Sequence, residues 1–147
     1  SEYALLALSR SATANQTQRL LIIDDSTVVR KVAERILRDQ ALEIAQAGSC
    51  FAGLATCREF RPDFILLDST LPDQSAVEVL TVLRERYRDA MPTTLVMVNE
   101  VDIVAIMKAK RAGAAGYLLK PFNRAQLNSA VAQYFAESER PGASTAA

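Results

Sequence analysis

The chain has 147 residues, half of them apolar, with 17 lysines and arginines against 17 aspartates and glutamates and no histidine. That length and composition suit one compact domain with one core. The charge balance excludes a broad basic face for nucleic acid and an acidic tail for a basic partner, so any partner must be recognised locally.

Tyr3 to Leu8 is apolar and can form a short helix. It is far shorter than the ~20 residues a membrane-spanning helix needs, and no basic leader with a cleavage site accompanies it, which argues against membrane insertion. Ser9 to Gln18 is mostly small and polar and reads as a linker. From Leu20 onward, short apolar runs alternate with longer segments of helical period, the pattern of repeated βα units around a parallel sheet. Leu20 to Ile23 is the first strand, and Ser26 or Thr27 caps a helix carrying Val28, Val29, Val32, Ile36 and Leu37. A weaker strand at Leu42 to Ala45 leads to a helix from Phe51 to Phe60, which Arg61-Pro62-Asp63 terminates. Phe64 to Leu67 is continuously bulky, as a strand buried on both faces should be. The turn Ser69 to Asp73 then reaches a helix with Val77, Val79, Leu80 and Leu83. Pro92 precedes a fourth strand, Leu95 to Val98, and Val101 to Arg111 reads as a helix ended by Gly113. Tyr117 to Leu119 is the fifth strand, Lys120-Pro121 follows it, and Arg124 to Glu137 is the last helix. The segment after it, Arg140 to Ala147, is a flexible tail by composition. The domain boundaries are therefore 1–18 for an extension or linker, 19–138 for the folded unit and 139–147 for the tail.

Cys50 and Cys57 fall seven apart on one helix, about 10 Å at 1.5 Å per residue, too far for a disulfide. A reduced cytoplasmic protein is expected, with both thiols in the core.

Charges stand at the ends of three of the apolar runs: Asp24-Asp25 after the first, Asp68 after the third and Lys120 after the fifth. If those runs are neighbouring parallel strands, the four groups converge on the crevice at the strands' carboxyl ends. Any one of them alone is an N-cap, a solvated turn residue or a surface lysine; the combination carries the signal. Three carboxylates in one crevice repel unless a cation joins them, and oxygen-only ligands without histidine select a hard ion, Mg²⁺. With Lys120 as a further positive charge, such a pocket complements an incoming phosphoryl group, and one carboxylate can act as its nucleophile.

Three motifs make the likeness specific: Leu-Leu-Ile-Ile-Asp-Asp-Ser followed by Arg30, Pro-Asp-Phe-Ile-Leu-Leu-Asp followed by Leu71-Pro72, and Arg-Ala-Gly-Ala-Ala-Gly-Tyr-Leu-Leu-Lys-Pro-Phe ending at Phe122. The chain from about Arg19 to Glu137 resembles the receiver domain of two-component response regulators. The resemblance implies a single doubly wound (βα)5, flavodoxin-like parallel sheet of strand order 2-1-3-4-5 with helices on both faces. It implies that Asp68 accepts a phosphoryl group from a partner histidine kinase or phosphotransfer protein. Asp25, Asp68 and the Thr70 main-chain carbonyl would ligate Mg²⁺, Asp24 would act through a metal-bound water, and Lys120 would neutralise the phosphoryl oxygens. The Lys120–Pro121 bond is expected to be cis, as in the family. Output would pass to a downstream partner or a second copy through the face of the fourth helix, fifth strand and fifth helix.

Two departures stand out. The family places a Ser or Thr after the fourth strand, whose hydroxyl draws an aromatic on the fifth strand inward. Here that place holds Val98 or Asn99, while Tyr117 keeps the aromatic, so the switch loses its hydroxyl. Ala76 and Cys50 stand where the family commonly has glycine. The competing readings are a receiver-like scaffold that no longer switches, a phosphatase of the haloacid dehalogenase type, and a flavodoxin. The phosphatase needs a second Asp where Ser26 stands, and Asp24-Asp25 would repel a flavin phosphate. The expectation is a signalling domain rather than a turnover enzyme. With no helix-turn-helix after Glu137, DNA binding by this chain itself is not expected.

Overall fold

In the computed structural model, which describes residues 17–138, five parallel strands form one sheet in the order β2-β1-β3-β4-β5. The strands are β1 (Gln18–Ile23), β2 (Leu42–Ala47), β3 (Phe64–Asp68), β4 (Thr93–Val98) and β5 (Gly116–Leu119). The helices are α1 (Thr27–Leu37), α2 (Cys50–Phe60), α3 (Ala76–Tyr87), α4 (Ile103–Ala112) and α5 (Arg124–Ser138), with a short 3-10 turn at Arg88–Ala90. This is the doubly wound (βα)5 sheet with the strand order expected from the sequence. The apolar stretch Tyr3 to Leu8, most of the first linker and the tail lie outside the described residues.

Side-chain alternation along the strands divides the core into two layers. Leu21, Ile23, Ile65, Leu67, Val96 and Val98 face α2, α3 and α4, where they meet Cys50, Cys57, Val79, Leu80, Leu83 and Ala109. Leu20, Ile22, Phe64, Leu66, Leu95 and Met97 face α1 and α5, where they meet Ile36, Leu37, Leu127, Val131 and Phe135. Because both faces are covered, every residue of β3 is buried, which is why its sequence is continuously apolar up to Asp68. Phe64 and Phe135 stack with centroids 3.8 Å apart and seat α5 on the sheet.

Local signals set most boundaries. Ser26, rather than Thr27, caps α1, its side chain accepting from the Val29 amide. Ser49 and Ser75 cap α2 and α3 in the same way. The fourth helix starts at Ile103, two residues later than its apolar pattern indicates, because Asp102 accepts from the Ala105 amide and takes the cap position. It ends at Gly113, whose φ of 121° is open to a residue without a Cβ. Arg61 closes α2 in the left-handed region at φ 53°. β2 is longer than its apolar pattern, running on to Gln46 and Ala47, which pair with Ile22 and Ile23.

Candidate functional site

β1, β3 and β5 all deliver their carboxyl ends to one edge of the sheet, and the charges at those ends meet there. Asp24 follows β1, Asp68 is the last residue of β3, and Lys120 follows β5. The Lys120 Nζ donates to Asp24 Oδ2 at 3.0 Å and to Asp68 Oδ1 at 3.1 Å, joining residues 96 and 52 positions apart in sequence. The Asp24 and Asp68 side chains are 1% exposed and that of Lys120 12%. Burial by itself lowers the Lys120 pKa, but the hydrogen bonds and charges of Asp24 and Asp68 outweigh it, so the ammonium is held above its ordinary value. A neighbouring hydrogen bond from Lys120 N to Val98 O, 2.7 Å, continues the β4–β5 ladder and fixes the lysine backbone. The Lys120–Pro121 bond that follows is cis.

The second oxygen of Asp24 accepts from the Ser26 amide at 2.8 Å, so this buried carboxylate is satisfied at both oxygens. The Arg30 guanidinium, one turn into α1, donates to the Asp24 carbonyl at 2.6 Å and to Gln46 Oε1 at 3.1 Å. It thereby ties the end of β1 to β2. Asp25 is exposed, and among the described residues its carboxylate has no protein hydrogen bond. Carboxylate oxygens of Asp24, Asp25 and Asp68 lie within 4.8 Å of one another, two of these residues buried and one open to solvent. Three oxygen donors so placed, one facing solvent, fit a hard divalent cation that keeps several waters, as Mg²⁺ does.

Asp68 has further partners in its own turn. The Thr70 amide donates to Oδ1 at 3.3 Å, and the Thr70 hydroxyl lies 3.2 Å from Oδ1 and 3.4 Å from Oδ2. The rest of this loop is pinned by Asp73, whose carboxylate accepts from the Cys50 and Phe51 amides at the start of α2. The Phe51 bond in particular holds the Asp73 carboxyl below its ordinary value. Neither the Thr70 hydroxyl nor the Asp73 tether is evident from the sequence. The signal for Asp73 is a carboxylate three residues before the α3 start, which reads locally as a turn.

Val98 and Asn99 are placed differently at the end of β4. Val98 is the last β4 residue, paired with Leu119, buried, and facing the layer of α3 and α4; Asn99 lies beyond the strand and is exposed. Thr70, Val98, Asn99 and Tyr117 line one cavity of about 460 Å³ between β4, α3 and α4. Tyr117 is 41% exposed on the edge strand. With Leu119 and with Ile103, Val104 and Met107 of α4 it belongs to the exposed large apolar side chains of this side of the molecule. Cys50 and Cys57 are both free and buried; desolvation pushes their thiols up to about 12 and about 11. Among the described residues no helix is long and apolar enough to cross a membrane.

The comparisons with known proteins agree with this geometry. The family model described as "Response regulator receiver domain" matches residues 20–132. The chain is 31% identical over 110 residues to the DNA-binding response regulator MtrA of Mycobacterium tuberculosis, covering 75% of this chain and 47% of that protein. It is 36% identical over 115 residues to the transcriptional regulatory protein PrrA of Mycobacterium bovis, covering 78% of this chain and 48% of that one. The chain thus spans about half the length of the curated relatives it matches. Among solved structures it is similar to a CheY-like response regulator receiver domain protein from Methanospirillum hungatei, with a TM-score of 0.78 and 26% identity over 86% of this chain and all of that one. A receiver-type sheet, its acidic crevice and its bridging lysine thus occur together with a family match over most of the chain, and the protein belongs to the response regulator receiver domain family.

Proposed function

We propose that residues 19–138 form a phosphoacceptor signalling unit in which Asp68 takes a phosphoryl group from a phosphohistidine of a partner histidine kinase or phosphotransfer protein. The observation that carries this reading is the Lys120 ammonium bridging the buried carboxylates of Asp24 and Asp68 beside the solvent-facing Asp25. In the transfer, an Asp68 oxygen forms a bond to phosphorus as the phosphorus–nitrogen bond breaks, and the electron pair returns to the imidazole of the donor, which takes up a proton. Lys120 already stands at Asp68 and needs no recruitment to neutralise charge on the moving oxygens. Asp25, Asp68 and the Thr70 carbonyl would hold Mg²⁺, with Asp24 acting through a water. When bound, the ion supplies positive charge to the carboxylates and to the phosphoryl oxygens.

The domain is a signalling module rather than a turnover enzyme, and as a histidine kinase partner it works in the cytoplasm. Its output is a change in binding to a downstream protein or a second copy through α4, β5 and α5, where Tyr117, Leu119 and the exposed apolar residues of α4 lie. No nucleic-acid contact is assigned to this unit, whose charges balance; MtrA is a DNA-binding protein over a length that this chain half covers. A second reading, a scaffold that takes phosphate without switching, is favoured by one observation: Val98 ends β4 with no hydroxyl.

The test is intact mass after incubation with acetyl phosphate and Mg²⁺, beside Asp68→Asn and a chelated control. A gain of one phosphoryl mass that needs both Asp68 and the ion supports the reading. No gain, with no beryllofluoride binding either, sinks it. Uptake without any change in self-association or partner affinity selects the scaffold.

A further inference from the structure

Among the described residues, two side chains donate to the Asp68 carboxylate: Lys120 and Thr70. Lys120 approaches from the β5 end of the sheet and contacts Oδ1 alone. The Thr70 hydroxyl comes from the β3–α3 turn and lies within 3.4 Å of both oxygens. Whichever oxygen becomes bonded to phosphorus, this hydroxyl stands beside the new group. The turn holds it there: the Thr70 amide bonds the same carboxylate, and Asp73, three residues on, is fastened to the first amides of α2. Thr70 is exposed on its other side, so it can swing toward an incoming group without leaving the core open.

Across the same cavity, Val98, the last residue of β4, offers only methyl groups, and the exposed Asn99 beyond it carries an amide but no hydroxyl. Val98 is buried and apolar, and a phosphoryl oxygen facing it would find no donor on that side chain. A dianionic group bonded to Asp68 carries three oxygens needing partners, and an unmet charged acceptor weakens the bound state more than a neutral one does.

We propose that the Thr70 hydroxyl is the hydroxyl donor to the phosphoryl group on Asp68 in this chain, standing in for the donor that Val98 cannot provide. This inference rests on the phosphoacceptor reading and adds to it a named hydroxyl contact. The hydroxyl keeps its own proton throughout. It releases its hydrogen bond to the carboxylate and donates to a phosphoryl oxygen as the oxygen–phosphorus bond forms at Asp68.

The experiment compares wild type, Thr70→Val and Thr70→Ser, each checked for an unchanged thermal unfolding curve, in two assays: the rate of phosphoryl mass gain from acetyl phosphate, and the apparent affinity for beryllofluoride with Mg²⁺. Thr70→Val is expected to lose about tenfold in both, the lower end for a hydrogen bond to a charged group because the site is partly open to water. Thr70→Ser is expected to stay within about twofold of wild type, since it keeps the donor. In a Val98→Thr background the loss on Thr70→Val should shrink to about twofold, because the two hydroxyls then substitute for each other. The inference is overturned if Thr70→Val matches wild type, if Thr70→Ser is as slow as Thr70→Val, or if the loss is undiminished in the Val98→Thr background. A wild-type chain that neither gains mass nor binds beryllofluoride overturns the phosphoacceptor reading itself, and this inference with it.

Discussion

The ends of β1, β3 and β5 and the end of β4 lie side by side on one sheet, yet they are built by opposite rules. At the first, buried charges are matched: Asp24 is satisfied at both oxygens and Lys120 bridges it to Asp68. At the second, Val98 closes the strand on a cavity of about 460 Å³ whose lining includes Tyr117 and residues of α4, and its own side chain has no polar atom to offer Asp68. A charged crevice cannot be left half assembled, because an unpaired buried ion is strongly destabilising. An apolar wall carries no such constraint and can change while the chemistry beside it stays intact. Under the proposed function, accepting a phosphoryl group and reporting it would be physically separable.

The largest expected effects fall on the charged side. Asp68→Asn should abolish phosphoryl mass gain outright while leaving a folded chain. Lys120→Ala should slow the gain by about a hundredfold, the scale of losing one preorganised donor. It should also lower stability by about 3 kcal/mol in chelator, since Asp24 and Asp68 are left without their counter-charge. Denaturant titrations with and without Mg²⁺ check the second point, and recovery by the ion would tie the destabilisation to charge.

A pH series sharpens the same side. The Lys120 pKa is raised in the folded chain, so its contribution is fully present below the unfolded value near 10.5 and is lost as pH rises through the higher folded value. The stability difference between wild type and Lys120→Ala should therefore stay flat from neutral pH to about pH 10 and narrow only above it. A difference that narrows near pH 7 would contradict the bridged geometry.

Smaller effects probe the apolar wall. Val98→Thr places a hydroxyl where the chain has none, at a cost of about 1 kcal/mol for the buried polar group. If readout is limited by that missing donor, beryllofluoride should change the Tyr117 environment more in Val98→Thr than in wild type. NMR of the tyrosine ring measures it, and equal responses in both chains would place the readout elsewhere. The smallest effect is a control: with thiols at about 12 and about 11 in the core, Cys50 and Cys57 should resist alkylation at pH 8 until the chain unfolds.

The sheet was legible because its information is local. Phe64 to Leu67 is apolar at every position since both faces of β3 are covered, and Asp24, Asp68 and Lys120 mark strand ends by the abrupt arrival of charge. The two layers follow from alternation alone. What stayed hidden depends on contacts across the chain. The last two residues of β2, Gln46 and Ala47, look like a loop, but Gln46 is held by Arg30, 16 residues away, and both continue the ladder with β1. The start of α4 was displaced by Asp102, a cap that competes with the apolar pattern beginning at Val101. At the apolar wall, that Val98 is buried and paired with Leu119 while Asn99 lies exposed beyond the strand depends on the β4–β5 register, which no local pattern encodes. The resemblance points to Thr70 only for its carbonyl, while its hydroxyl contact with Asp68 emerges from the side-chain rotamer.

The carboxylate of Asp73 binds the first two amides of α2 from a loop whose neighbouring residues surround Asp68. Any excursion of that loop must free those two N–H groups to solvent. Deuterium uptake at Cys50 and Phe51 would then act as a clock on loop opening, read from a helix that touches no phosphate, and its rate could be followed with and without beryllofluoride in the same sample.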